Sequence, residues 1–295
     1  MSSTAVGVTL DLDGPLPVPR RFSLLRTPGV VVDDAGEEGE PRWLGGVNVF
    51  GYPAGFPRTW EPCSTGTMRE KADEPDGLGE GDDLFPGGRF DPIAIYFPLK
   101  CTSRDAKGLI ERAEAVLNAT LSAGVERALA EGAFLSNNPF FSDANMDAPL
   151  GNTAVSPQVG LSWLENEIAE RTGRQGIIHA SPAIVAAWGF GAGLSDDPVD
   201  EAPPMRVLRT ANGTPVIAGA GYIGVDPVSQ SAPTAGEDWA FATGPVEVRL
   251  ADGPTVSIEE SLDRSINDVV VRPERFVLAD WDTGLQVGVL IDWAA

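Results

Sequence analysis

Residues 103–131 read SRDAKGLIERAEAVLNATLSAGVERALAE, and the fold of the chain turns on how this stretch is read. Apolar or small residues fall at Leu109, Ile110, Ala113, Val116, Leu117, Thr120, Leu121, Gly124, Val125, Ala128 and Leu129, the 3–4 spacing of one stripe along a helix. Glu111, Arg112, Glu114, Asn118, Glu126 and Arg127 lie largely off it. Such a helix would run about 40 Å, against roughly 16 Å for an average globular helix. The rest of the chain is cut every few residues by its 34 glycines and 25 prolines, so no second helix of this length is available to pair with it. Strands, loops or neighbouring subunits must cover the stripe, which points to a protein that assembles.

Outward from this helix the chain divides by composition. Residues 1–40 are short apolar runs (6–12, 22–25 and 30–32) separated by Pro15, Pro17, Pro19 and Pro28, the pattern of an extended arm. Strands are predicted at 47–52 and 93–99. Between them, residues 71–88 form an acidic, Gly-rich stretch (Asp73, Glu74, Asp76, Glu80, Asp82, Asp83) that reads as a long exposed loop. Its carboxylates lack the oxygen spacing of a calcium loop and read as a solvated charge run.

After the helix, 133–157 reads as loop and 161–171 as a shorter helix ended by Thr172-Gly173. Residues 176–180 read as a buried strand, and Ser181-Pro182 opens a helix through Trp188. Strands then dominate, at 205–209, 214–218, 239–243, 246–250, 255–258, 268–272 and 285–293, with 264–275 ambiguous between strand and helix.

A chain of 295 residues with 42% hydrophobic content can build a proper core. It contains no run of 18 apolar residues and its first residues do not form a secretion signal, so neither membrane nor export is expected. The formal charge is −22, from 43 acidic and 21 basic residues, and the only lysines are Lys71, Lys100 and Lys107. Gripping a nucleic acid needs Lys and Arg to displace counterions, so the chain as a whole should repel DNA. This suits an acidic soluble protein, or a wall that contains nucleic acid without holding it.

Motifs that carry chemistry elsewhere are weak here. Cys63 and Cys101 lack CxxC spacing and one histidine cannot complete a zinc set, so no metal or other cofactor is expected. Gly219-Ala-Gly221-Tyr-Ile-Gly224 matches GxGxxG after a strand-like run, but Val225-Asp-Pro-Val that follows cannot open the helix a dinucleotide needs. His179 alternates with apolar neighbours and there is no GxSxG elbow, so it reads as a structural histidine. No pair among the 43 carboxylates is singled out, so a hydrolase remains only a distant alternative. The seven tryptophans follow no repeat and read as packing residues. No catalytic, cofactor-binding or metal residue is assigned.

The order of elements (extended arm, long loop returning on strands, one long helix, a mixed α/β segment, closing strands) resembles the HK97-fold shell proteins, the major capsid proteins of tailed phages and the related encapsulins. Arg209-Thr-Ala-Asn-Gly-Thr-Pro-Val-Ile-Ala-Gly219 resembles that family's Gly-x-Pro-Val strand of the axial domain. Trp239-Ala-Phe-Ala-Thr-Gly-Pro-Val-Glu-Val-Arg249 is similar to the strand that returns toward the peripheral domain, and Asn267-Asp-Val-Val-Val-Arg-Pro-Glu-Arg-Phe-Val277 to a late segment with an arginine before a closing strand.

The resemblance implies an α+β fold with N-arm 1–42, E-loop-like region 43–102, peripheral domain with the spine helix 103–158, axial domain 159–244 and return strands 245–295. It implies a capsid subunit forming hexamers and pentamers of an icosahedral shell around double-stranded DNA, without specific DNA binding, assembled in a bacterial cytoplasm and ending in the virion. Scaffold, portal and decoration proteins would be separate partners, and an encapsulin-like compartment or another head or tail protein is the alternative. Some members cross-link a Lys to an Asn of a neighbour. Lys71 and Asn267 are the counterparts here, but no positioned carboxylate is evident to accept the proton, so a non-covalent shell is expected.

Overall fold

A computed structural model describes residues 16–27, 32–34, 42–50, 87–102, 108–133, 136–189, 195–199, 205–263 and 268–294. Helix α1 (Leu109–Glu131) is the long helix of the sequence. It opens at Gly108, whose φ of +71° only glycine adopts cheaply, and closes at Gly132, whose N–H returns to Ala128 O at 3.0 Å. Residues 103–107, the predicted first turn, lie outside the described residues.

Leu109, Ala113, Leu117, Leu121, Val125 and Leu129 are all 5% exposed or less, so the stripe is real. Its edges differ from expectation. Thr120 is exposed and returns its hydroxyl to Val116 O, whereas Glu126, read as lying off the stripe, is buried, and so is Ser122 one turn before it. The buried face is wider than the hydrophobic pattern, because polar partners and small residues fill one flank.

The other helices are α2 (Pro157–Thr172) and α3 (Pro182–Trp188). α2 begins four residues before the predicted 161, inside the stretch read as loop, because Pro157 sits at its first turn behind Ser156. The rest of that loop caps α1: Phe141 and Ser142 donate their N–H groups to the otherwise open carbonyls of Leu129 and Ala130, at 2.7 and 3.1 Å.

Among the described residues, two six-stranded sheets flank these helices. The first contains β1 (Val32–Asp34), β4 (Ile93–Tyr96), β5 (Leu99–Thr102), β11 (Val246–Leu250), β12 (Thr255–Asp263) and β13 (Asp268–Trp281). β13 is its spine: β11 and β12 pair along one side, β4 and β5 along the other. The segment left ambiguous at 264–275 is therefore strand from Asp268 onward, and β13 continues nine residues past the predicted 272. Val246, Val248, Leu250, Val277, Ala279 and Trp281 join the α1 stripe in one core.

The second sheet runs β14 (Gln286–Asp292), β10 (Glu237–Thr243), β6 (Ile177–Ala180), β9 (Pro215–Ala218), β8 (Met205–Arg209) and β7 (Ser195–Val199). Both faces of its strands β14, β10, β6 and β9 are covered, so these four are mostly apolar. Ile178, Val216, Ala240, Ala242, Val287 and Val289 meet Leu161, Leu164, Ile168 and Trp188 of α2 and α3. Ile217, Trp239, Phe241 and Leu290 turn toward the α1 core. Strand β7 had no counterpart in the sequence reading, its Ser-Asp-Asp-Pro-Val having no alternation.

A separate ribbon pairs β2 (Val47–Phe50) with β3 (Gly87–Phe90), the latter overlapping the end of the predicted acidic loop. The body of that loop, with Lys71 and its acidic residues, lies outside the described residues, as do Cys63, Asn267 and the arm before residue 16.

Candidate functional site: the junction of arm, long helix and the 219–224 turn

The residues that hold the described parts of the chain together meet at Glu126. Its side chain is 0% exposed on the flank of α1. One oxygen accepts the Leu24 N–H and the Ser122 hydroxyl, each at 2.9 Å, and the other accepts the Gly221 N–H at 3.1 Å. A buried carboxylate is tolerable only when such donors replace water, and charge-assisted bonds of this kind are about twice as strong as neutral ones.

Leu24 belongs to a short 3-10 turn (Leu24–Arg26) of the N-terminal arm. Beside it Leu25 N–H donates to Ser122 Oγ at 3.1 Å, and Phe22 O accepts the Ala218 N–H at 2.8 Å. The arm is thus fixed to α1 and to the end of β9 mainly by its own backbone, with Leu24 fully buried as the anchor.

The GxGxxG match supplies the third wall. A Cβ on Gly219 would come within 2.5 Å of the Glu126 carboxyl carbon, and one on Gly221 would run into the Ala123 carbonyl and the Arg127 nitrogen of α1. Gly224 takes a φ of +72° against Phe241 and Trp239. These glycines let a turn lie flat on a helix.

His179 lies in the same core, fully buried, with its ring 4.8 Å from Phe141 and 5.0 Å from Tyr222. Nε2 is 2.9 Å from Thr243 Oγ1, and Nδ1 has no partner among the described residues. Burial pushes its pKa down to about 3, so the ring is neutral near pH 7. Tyr222 is pushed up by burial and by the Glu126 charge. Of the seven predicted packing tryptophans, Trp43, Trp188, Trp239 and Trp281 are buried, Trp163 is half-buried, Trp293 is 36% exposed, and Trp60 lies outside the described residues. Among the described residues no group of three or more His, Cys, Asp and Glu is placed to hold a metal, and no helix is long and apolar enough to cross a membrane.

Sequence reasoning missed Glu126 because its charge assigned it to solvent. The available signal was the pair Ser122 and Glu126, one turn apart beside the small residues Ala123 and Ala130, with a glycine-rich turn elsewhere in need of a partner. What the junction does is mechanical: it sets where the arm leaves the body. Beyond it, Leu16 and Val18 are 77% and 84% exposed.

No family model matches the chain and no curated protein matches it. Solved structures do. A chain from Mycobacterium phage Ogopogo is 9% identical and superposes over 99% of both chains with a TM-score of 0.50. One from Gordonia phage Cozz is 14% identical over 97% of this chain and 90% of that one, with a TM-score of 0.49. The holo-SrpI encapsulin complex of Synechococcus elongatus PCC 7942 is 12% identical over 72% and 79%, with a TM-score of 0.45. At such identities the likeness is one of fold, and it runs from end to end of the chain: the molecule has the HK97-like α+β shell fold.

Proposed function

We propose that this chain is the major capsid protein of a tailed phage, a structural subunit whose hexamers and pentamers close into an icosahedral shell around double-stranded DNA. The observation that carries the reading is the HK97-like fold over the whole length of the chain, matched to a phage structure along 99% of both chains. A fold alone does not name a function. The reading gains support from the arm, which is anchored at Leu24 yet leaves the apolar side chains of Leu16 and Val18 largely exposed, without cover among the described residues.

In this reading the arm 1–42 and the loop region 43–102 reach neighbours, the peripheral region 103–158 is braced by α1, 159–244 is the axial domain, and 245–295 returns between them. The subunit is not an enzyme. Its charge of −22 keeps packaged DNA from adhering to the wall. Assembly takes place in a bacterial cytoplasm, with scaffold, portal and decoration functions supplied by other chains, and the product is the virion capsid.

Sedimentation and electron microscopy of the expressed chain test this. Closed particles tens of nanometres across, in lysates of infected cells filled with DNA, are the expected result. Particles filled with a protein cargo would replace the capsid reading by a compartment, and a monomer at all concentrations and salts would remove the shell altogether.

A further inference from the structure

Arg89, Arg127, Arg171, Arg249 and Arg272 each face a carboxylate. Arg20, Arg26 and Arg275 do not. Among the described residues the side chains of Arg20 and Arg26 make neither a hydrogen bond nor an ion pair, and Arg275 commits only its Nε–H, to Ala251 O at 2.8 Å.

These arginines lie along one seam, where the arm crosses α1 and the first sheet. Arg26, the last residue of the 3-10 turn, and Arg275, on β13, line the same cavity of 260 Å3. Asn118 of α1 stands beside them, and Pro19, Leu121 and Leu250 supply apolar wall. Arg20 follows Pro19 in a turn closed by Ser23 Oγ–H on Arg20 O at 2.9 Å.

What the cavity offers is hydrogen-bond donors without a counter-charge. The Ser23 hydroxyl is spent on Arg20 and that of Ser122 on Glu126. Among the described residues no carboxylate lines the cavity, and Glu126, bonded to the same Ser122, is buried and satisfied by three donors. The guanidinium groups of Arg26 and Arg275 and the carboxamide of Asn118 keep free N–H groups. The setting makes this unusual: residues 16–27 hold three arginines and no acid, in a chain of 43 acidic and 21 basic residues.

A guanidinium fork matches the paired oxygens of a phosphate, and several such forks in a row match a run of phosphates. The cavity is smaller than the roughly 300–1,000 Å3 of a site that encloses a drug-sized ligand, so it takes one small anionic group at a time.

We propose that this seam binds the phosphate groups of double-stranded DNA, the backbone passing Arg20 and meeting Arg26 and Arg275. The proposal rests on the shell reading, in which packaged DNA is the polyanion held against the wall, and adds to it which face of the subunit looks inward. Phosphate contacts fix position and carry no base information, so the grip is blind to sequence. The wall as a whole still repels DNA by its charge and touches the backbone at this one point of each subunit.

The first test is binding of two unrelated short DNA duplexes to dissociated full-length subunits, followed by fluorescence anisotropy over a range of salt. Log K should fall against log salt with a slope of about −2 to −3, for two or three phosphates met. Arg26→Gln, which breaks no bond within the subunit, should lower the steepness by about 1 and weaken both duplexes alike. Arg26→Lys should restore the slope. Arg127→Gln, the same loss of charge away from the seam, should leave it unchanged. Absence of binding at low salt, or equal effects of Arg26→Gln and Arg127→Gln, overturns the proposal. Inorganic phosphate that displaces the duplex far better than chloride at the same ionic strength would assign the seam to the free ion, against the proposal.

The second test places the seam in the shell. Phenylglyoxal modifies accessible guanidinium groups, and mass spectrometry reads each arginine. Arg26 and Arg275 should react at least tenfold more slowly in DNA-filled particles than in emptied particles or dissociated subunits. Rates in filled particles as fast as in subunits put the seam on the outer face and refute the proposal. Equal protection in filled and emptied particles means that another protein chain covers the seam, and refutes it too. A chain that never closes into particles yet binds DNA with the expected slope overturns the shell reading and leaves the phosphate site standing.

Discussion

Glu126 accepts the Gly221 N–H at 3.1 Å, across 95 positions of sequence, and accepts the Leu24 N–H at 2.9 Å across 102 in the other direction. One carboxylate on the flank of the long helix therefore decides the seating of both the arm and the turn after β9. Neither segment has a large core of its own, so both depend on it.

Replacing Glu126 should release them. Glu126→Gln keeps the shape but turns an NH2 toward a donor whichever way the amide lies, costing about 1–3 kcal/mol. Glu126→Ala strands three donors in the core and should cost more. Denaturant midpoints of dissociated subunits measure the loss. Trypsin cleavage after Arg26 should accelerate in the same order, because the 3-10 turn that ends there is what the carboxylate holds.

The glycine turn makes a paired prediction. Gly221→Ala drives a methyl into the α1 backbone, which cannot yield as a side chain would, and should cost about 1–3 kcal/mol or prevent folding. Gly45→Ala, with nothing within 4 Å of its added Cβ, should stay within about 0.5 kcal/mol. Equal stability of the two variants would mean the turn does not rest on the helix.

How much of this was legible follows from what kind of signal each feature leaves. Leu109, Leu117, Leu121 and Val125 announce α1 because burial by hydrophobic contact repeats with the helical period. Strands Met205–Arg209 and Val246–Leu250 fall where the apolar runs place them, each bounded by turn residues. The order of elements also pointed to the fold. Glu126 and Ser122 were not legible, since a polar residue buried by long-range partners looks in sequence like one facing water. The start of α2 was lost because Pro157 was taken to end a loop when it opens a helix. The role of the glycines at 219 and 221 was not legible either, since the helix they approach lies some 95 positions away and leaves no local trace.

His179 predicts a pH dependence. Its folded pKa, about 3, lies below the ordinary 6.5 because burial disfavours the charged ring. Below pH 6.5 the unfolded chain takes up a proton that the folded chain refuses. The stability contributed by the neutral ring is whole above 6.5 and is lost as pH falls toward 3, by about 1.4 kcal/mol per unit. Asp238 and Asp280, both pushed up by burial, act in the opposite sense in the acid range, since their folded forms bind protons more readily than the unfolded chain. Comparing urea midpoints at pH 7 and pH 4.5 for wild type and His179→Gln isolates the histidine. The wild type should lose about 2–3 kcal/mol more than the variant between these values, and parallel losses would show that the ring is hydrated.

Covalent reinforcement of the shell is the remaining question of mechanics. An isopeptide bond joins a lysine amine to an asparagine carboxamide with loss of ammonia, and needs a carboxylate held beside the amine to accept its proton. Lys71 stands in a sequence run with Asp73, Glu74 and Asp76, and Asn267, the asparagine with which it could pair, adjoins Asp268 at the start of β13. Both residues lie outside the described residues. The buried carboxylates among the described residues are already engaged, Glu126 by three donors, Glu167 by Arg171 and Asp280 by Arg249. Mature particles boiled in denaturant should therefore run as a single band near 31 kDa. A ladder of higher bands that collapses with Lys71→Ala would show instead that assembly brings a base to the lysine which the single subunit lacks.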